Sequence, residues 1–272
     1  MSQKLSVVIP CKNESSNIRQ CIESVRSIAD EIIIADSGST DDTMNLARAA
    51  GCRVVEREFI SFSSFKDWAI QQAQHEWVLT LDADERTTLK LVAEITKLLK
   101  SSEIAHDGYQ IRRENHFCGV QLKHGPAGND WPLRLFRKSL ASYNDVSIHE
   151  SISVSSGNVG RLENSIHHFS DRSIREYFER FNRYTSLAAQ AMANEGKRPT
   201  WVKLFTAAPA RFVKGYLLQR GFLDGKAGLI NCALGSAYVF TKYAKLWAIR
   251  MHTEESFESS QKEPAQISRK AA

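Results

Sequence analysis

Trp77-Val-Leu-Thr-Leu-Asp-Ala-Asp-Glu85 is an apolar run that stops abruptly in three crowded carboxylates. Residues 77–81 have the composition of a short strand buried on both faces, and Asp82 closes it. The same pattern occurs upstream. Residues 5–9 form a continuous apolar run ended by Pro10, and residues 31–35 form a β-branched run ended by Asp36. Between the runs the spacing turns helical. Ile18, Ile22, Val25 and Ile28 follow the cap candidates Ser15 and Ser16. Ser39-Thr-Asp-Asp-Thr43 opens a second helix that stops at Gly51, with a hydroxyl cap, acids in the first turn and glycine at the end. A short strand at Val54-Val55, a helix over 65–73 and a helix marked by Leu89, Val92, Ile95 and Leu98 complete the first hundred residues. Such strand–helix alternation predicts an α/β fold, a sheet with helices on both faces. Ligands of these sheets bind beyond the carboxyl ends of the strands, where Asp36 and Asp82 stand.

From Gly108 onward the pattern changes. Strand-like stretches at 109–113, 133–137 and 147–154 are separated by Gly, Pro and Asn turns, which predicts a mixed extension of the sheet. Ile174, Tyr177, Phe178, Phe181, Tyr184, Leu187 and Ala191 then mark one long amphipathic helix. Gly196-Lys-Arg-Pro-Thr200 ends it, and an aromatic, basic helical segment follows over 201–250. The expected divisions are 1–172, with halves 1–107 and 108–172, then a helical region 173–250 and a disordered tail 251–272.

The 272 residues are 42% hydrophobic and 25% charged, a mix that excludes a disordered chain, a fibre and a coiled coil. Five scattered cysteines without a CxxC pair point to reduced thiols in a cytoplasm. The first apolar run is too short for a signal peptide, and no run reaches the ~20 apolar residues of a spanning helix. The net charge of +5 is unevenly spread: residues 201–250 hold eight basic residues and one acid, a net +7, and the remainder is close to neutral. Interleaved with Trp201, Phe205, Phe212, Tyr216, Trp247 and other aromatics, this charge suits an in-plane anchor on the anionic cytoplasmic face of a membrane. Helices packed on the catalytic domain with a solvated basic face are the alternative. No motif supports nucleic-acid binding.

Asp82, Asp84 and Glu85 need an offsetting charge, and a divalent cation, Mg²⁺ or Mn²⁺, is a natural one, since these ions take one or two carboxylates plus phosphate oxygens. The competing reading is a helix cap near Thr87. Asp36 either accepts protons from a nucleoside or starts a turn, while Asp41 and Asp42 cap the helix after it. Lys12 and Glu14 follow the first strand, either beside a phosphate and a nucleoside or as a solvated turn. No glycine-rich phosphate loop is present.

Together, Val7-Val-Ile-Pro-Cys-Lys-Asn-Glu14, Asp36-Ser-Gly-Ser-Thr-Asp-Asp-Thr43 and Leu81-Asp-Ala-Asp-Glu85 resemble, in order and spacing, the nucleotide-binding half of family 2 glycosyltransferases. Trp131-Pro-Leu-Arg-Leu-Phe-Arg137, Ile148-His-Glu150 and Gly221-Phe-Leu-Asp-Gly-Lys-Ala-Gly-Leu229 resemble the branch of lipopolysaccharide-core β-1,4-glucosyltransferases. The resemblance implies a GT-A fold, a nucleotide-sugar donor such as a UDP-sugar, a divalent metal and inversion at the anomeric carbon. It places Pro10, Lys12, Glu14, Asp36, Ser37, Asp82 and Ala83 around the donor and Asp84 on the metal, with Asp82 on metal or ribose. Its acceptor is a lipid-linked oligosaccharide of the lipopolysaccharide core. A polyprenyl phosphate or a protein is the alternative acceptor, and a sugar-nucleotide binder with a degenerate site is the non-enzymatic one.

Inverting transfer needs a carboxylate to take the acceptor proton and positive charge on the leaving diphosphate. Arg134 and Arg137 are candidates to add that charge. For the base, no Glu-Asp dipeptide exists in the sequence, so Glu150, Asp130 and Asp145 are the candidates, with Glu150 favoured. His149 is either a further metal ligand or a hydrogen-bonded strand histidine. His167-His168 is read as structural or acceptor-lining.

Overall fold

The computed structural model describes residues 2–143 and 152–267, with the backbone alone at 171 and 252–267. Two compact units result. The first comprises residues 1–123 and 127–170, the second residues 124–126 and 171–272.

The first unit is built on β1 (Leu5–Cys11), α1 (Ile18–Val25), β2 (Glu31–Asp36), α2 (Thr43–Ala49), β3 (Arg53–Glu56), α3 (Phe62–Gln71), β4 (Trp77–Thr80), β5 (Glu85–Thr87) and α4 (Leu89–Lys100). It continues through β6 (Gly108–Phe117), β7 (Val120–Gln121), β8 (Leu133–Arg137), β9 (Ala141–Tyr143), β10 (Ile152–Val154) and β11 (Val159–Asp171). The sheet runs β3-β2-β1-β4-β8-β6-β11-β5, with β7 on β6. The first four strands are parallel; β8 turns antiparallel to β4, and β6 antiparallel to β8. This is the α/β mixed sheet expected from the sequence.

Why the first strands read as unbroken apolar runs is now plain: both faces are covered. Leu5, Val7 and Ile9 pack with Ile18, Ile22 and Val25 of α1, Ala47 of α2 and Leu91 and Ile95 of α4. Val8, Ile33 and Val78 point the other way, onto Phe65, Ala69 and Ile70 of α3. Every one of these side chains is at least nine-tenths buried. Period-two alternation sends neighbouring residues to opposite helical layers, so no polar position is needed.

Three local details differ from the sequence reading. Asn17, not Ser15 or Ser16, is the residue before α1. The helix after the carboxylates starts at Leu89, capped by the Thr88 hydroxyl, which accepts from the Leu91 N–H at 3.2 Å. The space between is taken by β5, which pairs antiparallel with β11. β11 escaped the sequence reading, because it is polar along much of its length and carries no apolar period.

The second unit is helical: α5 (Ile174–Asn194), α6 (Trp201–Val213), a π-helical turn (Lys214–Leu218) and α7 (Gly225–Ile267). Ser173 and Thr200 cap α5 and α6 through their hydroxyls. The α7 backbone is helical through much of the stretch expected to be a disordered tail. Lys245 on α7 donates to Asn182, Thr185 and Ser186, and Arg250 donates to the Ala193 carbonyl, so two basic residues fasten α7 to α5. The Gly221–Leu229 segment packs tightly: a Cβ on Gly228 would run into the Gly221 carbonyl oxygen. Among the described residues no helix is long and apolar enough to cross a membrane. All five cysteines are free.

Candidate active site

Parallel pairing brings the carboxyl ends of β1, β2 and β4 together, and the loops that leave them are laced by side-chain hydrogen bonds. Asn13 adopts a left-handed backbone (φ 57°). Its N–H donates to the Ser39 hydroxyl at 2.9 Å, and its side-chain oxygen accepts from the Thr40 N–H at 2.7 Å. The Glu14 N–H donates to the Thr43 hydroxyl, and the Ser15 N–H to Asp41. Ser37 donates to the Cys11 carbonyl through both its N–H and its hydroxyl. Asp36 is buried, and its carboxylate accepts from the Gly38 and Ser39 N–H groups and from the Ser39 hydroxyl at 2.6 Å. In this arrangement the Asp36 carboxylate shapes its own loop. Glu14 accepts from the Asn17 side chain at 2.8 Å, and Lys12 projects to solvent. Burial of Asp41 opposes its charge, but hydrogen bonds from Thr43 and Ser15 outweigh that and lower its carboxyl to about 2.

Asp82 lies in a basic clamp. Arg134 donates to it at 2.6 Å and Lys66 at 3.1 Å, with Arg113 at 3.9 Å. Burial alone would raise its pKa; Arg134 and then Lys66 reverse this and hold the carboxyl well below the usual range. Glu85 is fully buried and pairs with Arg134 and with Arg113 at 3.3 Å. Its other oxygen accepts the Asp82 N–H at 3.0 Å, which fixes the turn between the carboxylates. Arg134 is itself 6% exposed. Burial works against its charge, but Asp82 and Glu85 outweigh it and raise its pKa. The repulsion among the three acids is therefore largely answered by protein cations.

Asp84 has different company. Its Oδ2 lies 3.3 Å from Nε2 of His168, brought across by the β5–β11 pairing. Asn115 on β6 orients that imidazole: Nδ1 of His168 donates to the Asn115 oxygen at 2.6 Å, while the Asn115 amide donates to the Ala127 carbonyl and to Asp130. Nε2 is thus the ring nitrogen presented to Asp84. A carboxylate oxygen and an imidazole nitrogen facing one another, with the far nitrogen fixed by an amide, form a donor set suited to a divalent metal. Asp84 and His168 would hold it. Asp82, clamped by Arg134 and Lys66, fits better as a hydrogen-bond acceptor beside the site.

Asp130 joins the same cluster, accepting from Arg113 at 2.7 Å. Arg137 does not. Because β8 runs antiparallel to β4, Arg137 pairs with Trp77 at the start of β4, stacks on its ring at 4.9 Å and binds Asp107 at 3.1 Å. Pro10 lies near the end of β1, opposite Ala35 of β2, and Ala83 lies in the turn between β4 and β5. His149, Glu150 and Asp145 lie outside the described residues. His168 and Asn115 were not singled out by sequence as ligand and orienter. The one available signal was the paired histidine at 167–168, whose partner Asp84 is set by strand register.

A sequence model of glycosyl transferase family 2 matches residues 6–157. The chain is 33% identical, over 89% of its length and 92% of the relative's, to the lipopolysaccharide core biosynthesis glycosyltransferase LpsC of Rhizobium meliloti. It is 29% identical to an uncharacterized glycosyltransferase of Rickettsia prowazekii, over 90% of this chain and 87% of that one. Among solved structures, glucosyl-3-phosphoglycerate synthase from Mycobacterium tuberculosis, in complex with Mn²⁺, UDP-glucose and phosphoglyceric acid, aligns over 71% of this chain and 80% of its own. The TM-score is 0.46 and the identity 17%.

Proposed function

The chain belongs to glycosyl transferase family 2, and from that premise we propose that it moves a hexose, glucose from UDP-glucose, onto the lipopolysaccharide core with inversion. The observation that carries the reading is the Asp84–His168 pair, oriented by Asn115, beside an Asp82 held ionised by Arg134 and Lys66. The relative named for lipopolysaccharide core biosynthesis supports the acceptor class.

A divalent metal bound between Asp84 and His168 would supply positive charge to the departing diphosphate. The chain's own residues do the rest. Asp82, fixed in position and partly exposed, accepts a ribose hydroxyl. Asp36 and Ser37 set the loop beneath the nucleoside, and Pro10, Lys12, Glu14 and Ala83 line the donor. Arg134 acts through Asp82 and Glu85. Transfer needs one carboxylate to take the acceptor proton while the hydroxyl oxygen attacks the anomeric carbon. We assign this to Glu150, with Asp130 as the alternative on the described face. Glu150→Gln should keep donor binding and lose transfer.

The second unit gives the enzyme a place to work. Trp201, Val202, Phe205 and Leu218 are all more than 60% exposed. Apolar surface of this kind amid a net +7 favours in-plane attachment to the cytoplasmic face of an anionic membrane, next to a lipid-linked acceptor.

The test is a donor and acceptor screen with the purified full chain. Mass spectrometry should show a hexose added to a heptose-containing core, and only with Mn²⁺ or Mg²⁺. Product on a polyprenyl phosphate or a protein instead would overturn the acceptor assignment. Mn²⁺-dependent UDP-glucose binding surviving in both Asp84→Ala and His168→Ala would overturn the site.

A further inference from the structure

Strand alternation sends Arg113 and Asn115 of β6 and His168 of β11 to the catalytic face. It therefore sends Glu114, His116 and His167 to the other face of the same two strands. There the three side chains converge, with one ligand-type atom from each lying within 4.8 Å of the others. His116 Nε2 and His167 Nδ1 are 3.3 Å apart, and His167 Nδ1 and Glu114 Oε2 are also 3.3 Å apart. A tetrahedral ion with bonds of about 2.0–2.1 Å has ligand–ligand edges of about 3.3–3.4 Å. Two of the three edges already have that length.

We propose that Glu114, His116 and His167 bind a Zn²⁺-class transition-metal ion through two imidazole nitrogens and one carboxylate oxygen. Two donors two residues apart on one strand, and a third from the neighbouring strand, share one face without any special loop. The surroundings hold each donor in place. The Ser165 hydroxyl donates to the outer Glu114 oxygen at 2.8 Å, and the Gln121 amide donates to the inner one at 2.9 Å. Phe169 stacks on the His116 ring at 4.6 Å and 25° and so fixes its plane. All three ligand residues are partly exposed, which gives an ion a path in and leaves room for water as a fourth ligand. Two imidazoles and a carboxylate favour Zn²⁺ over Mg²⁺, whereas one carboxylate and one imidazole completed by diphosphate oxygens suit Mn²⁺ or Mg²⁺. The two faces therefore select different ions. An ion here ties β6 to β11, the two strands that carry Asn115 and His168, and so acts as a positioning element for the catalytic face.

The experiment uses the full chain stripped with chelator and titrated with Zn²⁺ alone, read by calorimetry, X-ray absorption and thermal melting. His168→Ala, which removes the ligand on the catalytic face, should still take up one Zn²⁺ per chain. Its absorption spectrum should show two imidazoles in the shell at about 2.0–2.1 Å. The double variant His116→Ala/His167→Ala should lose that equivalent and the rise in melting temperature that Zn²⁺ causes. Glu114→Gln keeps the side-chain size and isolates the ligand role if the double variant fails to fold. It should weaken Zn²⁺ binding by at least about tenfold while melting normally without metal. The proposal is overturned if His168→Ala binds no Zn²⁺, or if adding Glu114→Gln to His168→Ala leaves its Zn²⁺ affinity unchanged.

Discussion

The two units solve opposite burial problems. In the first, charge goes inward: Arg134, Arg113 and Lys66 close on Asp82, Glu85 and Asp130, and the apolar strands are covered on both faces. In the second, apolar surface stays outward: Trp201, Phe205 and Leu218 are largely exposed, while Lys245 and Arg250 turn in to fasten α7 to α5. Buried charge is expensive and is kept where it holds a geometry; exposed aromatics are a hazard unless another surface covers them. Under the proposed function, the contrast separates a unit built for chemistry from one built for contact.

The strongest way to break it is Arg134→Met. Removal leaves Glu85 buried without its main partner and Asp82 without its closest one. Such a loss typically costs about 3–5 kcal/mol. Urea denaturation should show that drop in the first unit. A variant as stable as the parent would mean the cluster is not the keystone described. Next is Gly228→Ala in the second unit. The added methyl meets the Gly221 carbonyl, and overpacking of this kind costs about 1–3 kcal/mol. It should lower the melting temperature while leaving UDP-sugar binding intact. Loss of donor binding would show that the two units are not functionally separable.

These two positions also mark how far sequence could reach. Residues 5–9, 31–35 and 77–81 were legible as strands because a strand covered on both faces must be apolar throughout. Asp84 was legible only as a candidate, because a strand end in a parallel sheet is where ligands bind. His168 was not, because its role depends on the antiparallel register His168↔Glu85, which brings residues 83 positions apart together and leaves no local trace. Arg134 and Arg137 looked equivalent in sequence. Strand direction separates them, sending one to Asp82 and the other to Trp77 at the far end of β4. The basic run over 201–250 read as one surface, yet Lys245 and Arg250 are spent on internal hydrogen bonds, a distinction that composition cannot carry.

A smaller effect sharpens the outward half of the comparison. Trp201→Ser and Phe205→Ser remove exposed apolar area without touching a buried contact. Each should weaken binding to vesicles containing anionic lipid by about 1–2 kcal/mol, roughly tenfold, on the scale of one buried aromatic side chain. Raising salt should weaken the parent further, since Debye screening acts on the basic residues. Binding that ignores both changes would assign those aromatics to some other contact.

The smallest effect tests whether acid sensitivity belongs to the inward-charged unit. Asp41 has its carboxyl lowered from the ordinary 3.8 to about 2 by hydrogen bonds from Thr43 and Ser15. A group depressed in the folded state stabilises the fold above its unfolded pKa. That contribution is lost as pH falls through the folded value, so the window runs from about pH 4 down to about 2. Asp41→Asn keeps an acceptor for Thr43 but removes the titration. The parent should therefore be the more stable at pH 7, and the two urea midpoints should converge between pH 4 and 2. Asp41 is exposed, so screening keeps the gap small, but its sign is fixed. A gap that widened on acidification would mean that the charge on Asp41 works against the loop its hydrogen bonds join, and the lacing of the β1 and β2 loops would then have to rest on Ser39 and Asn13 alone.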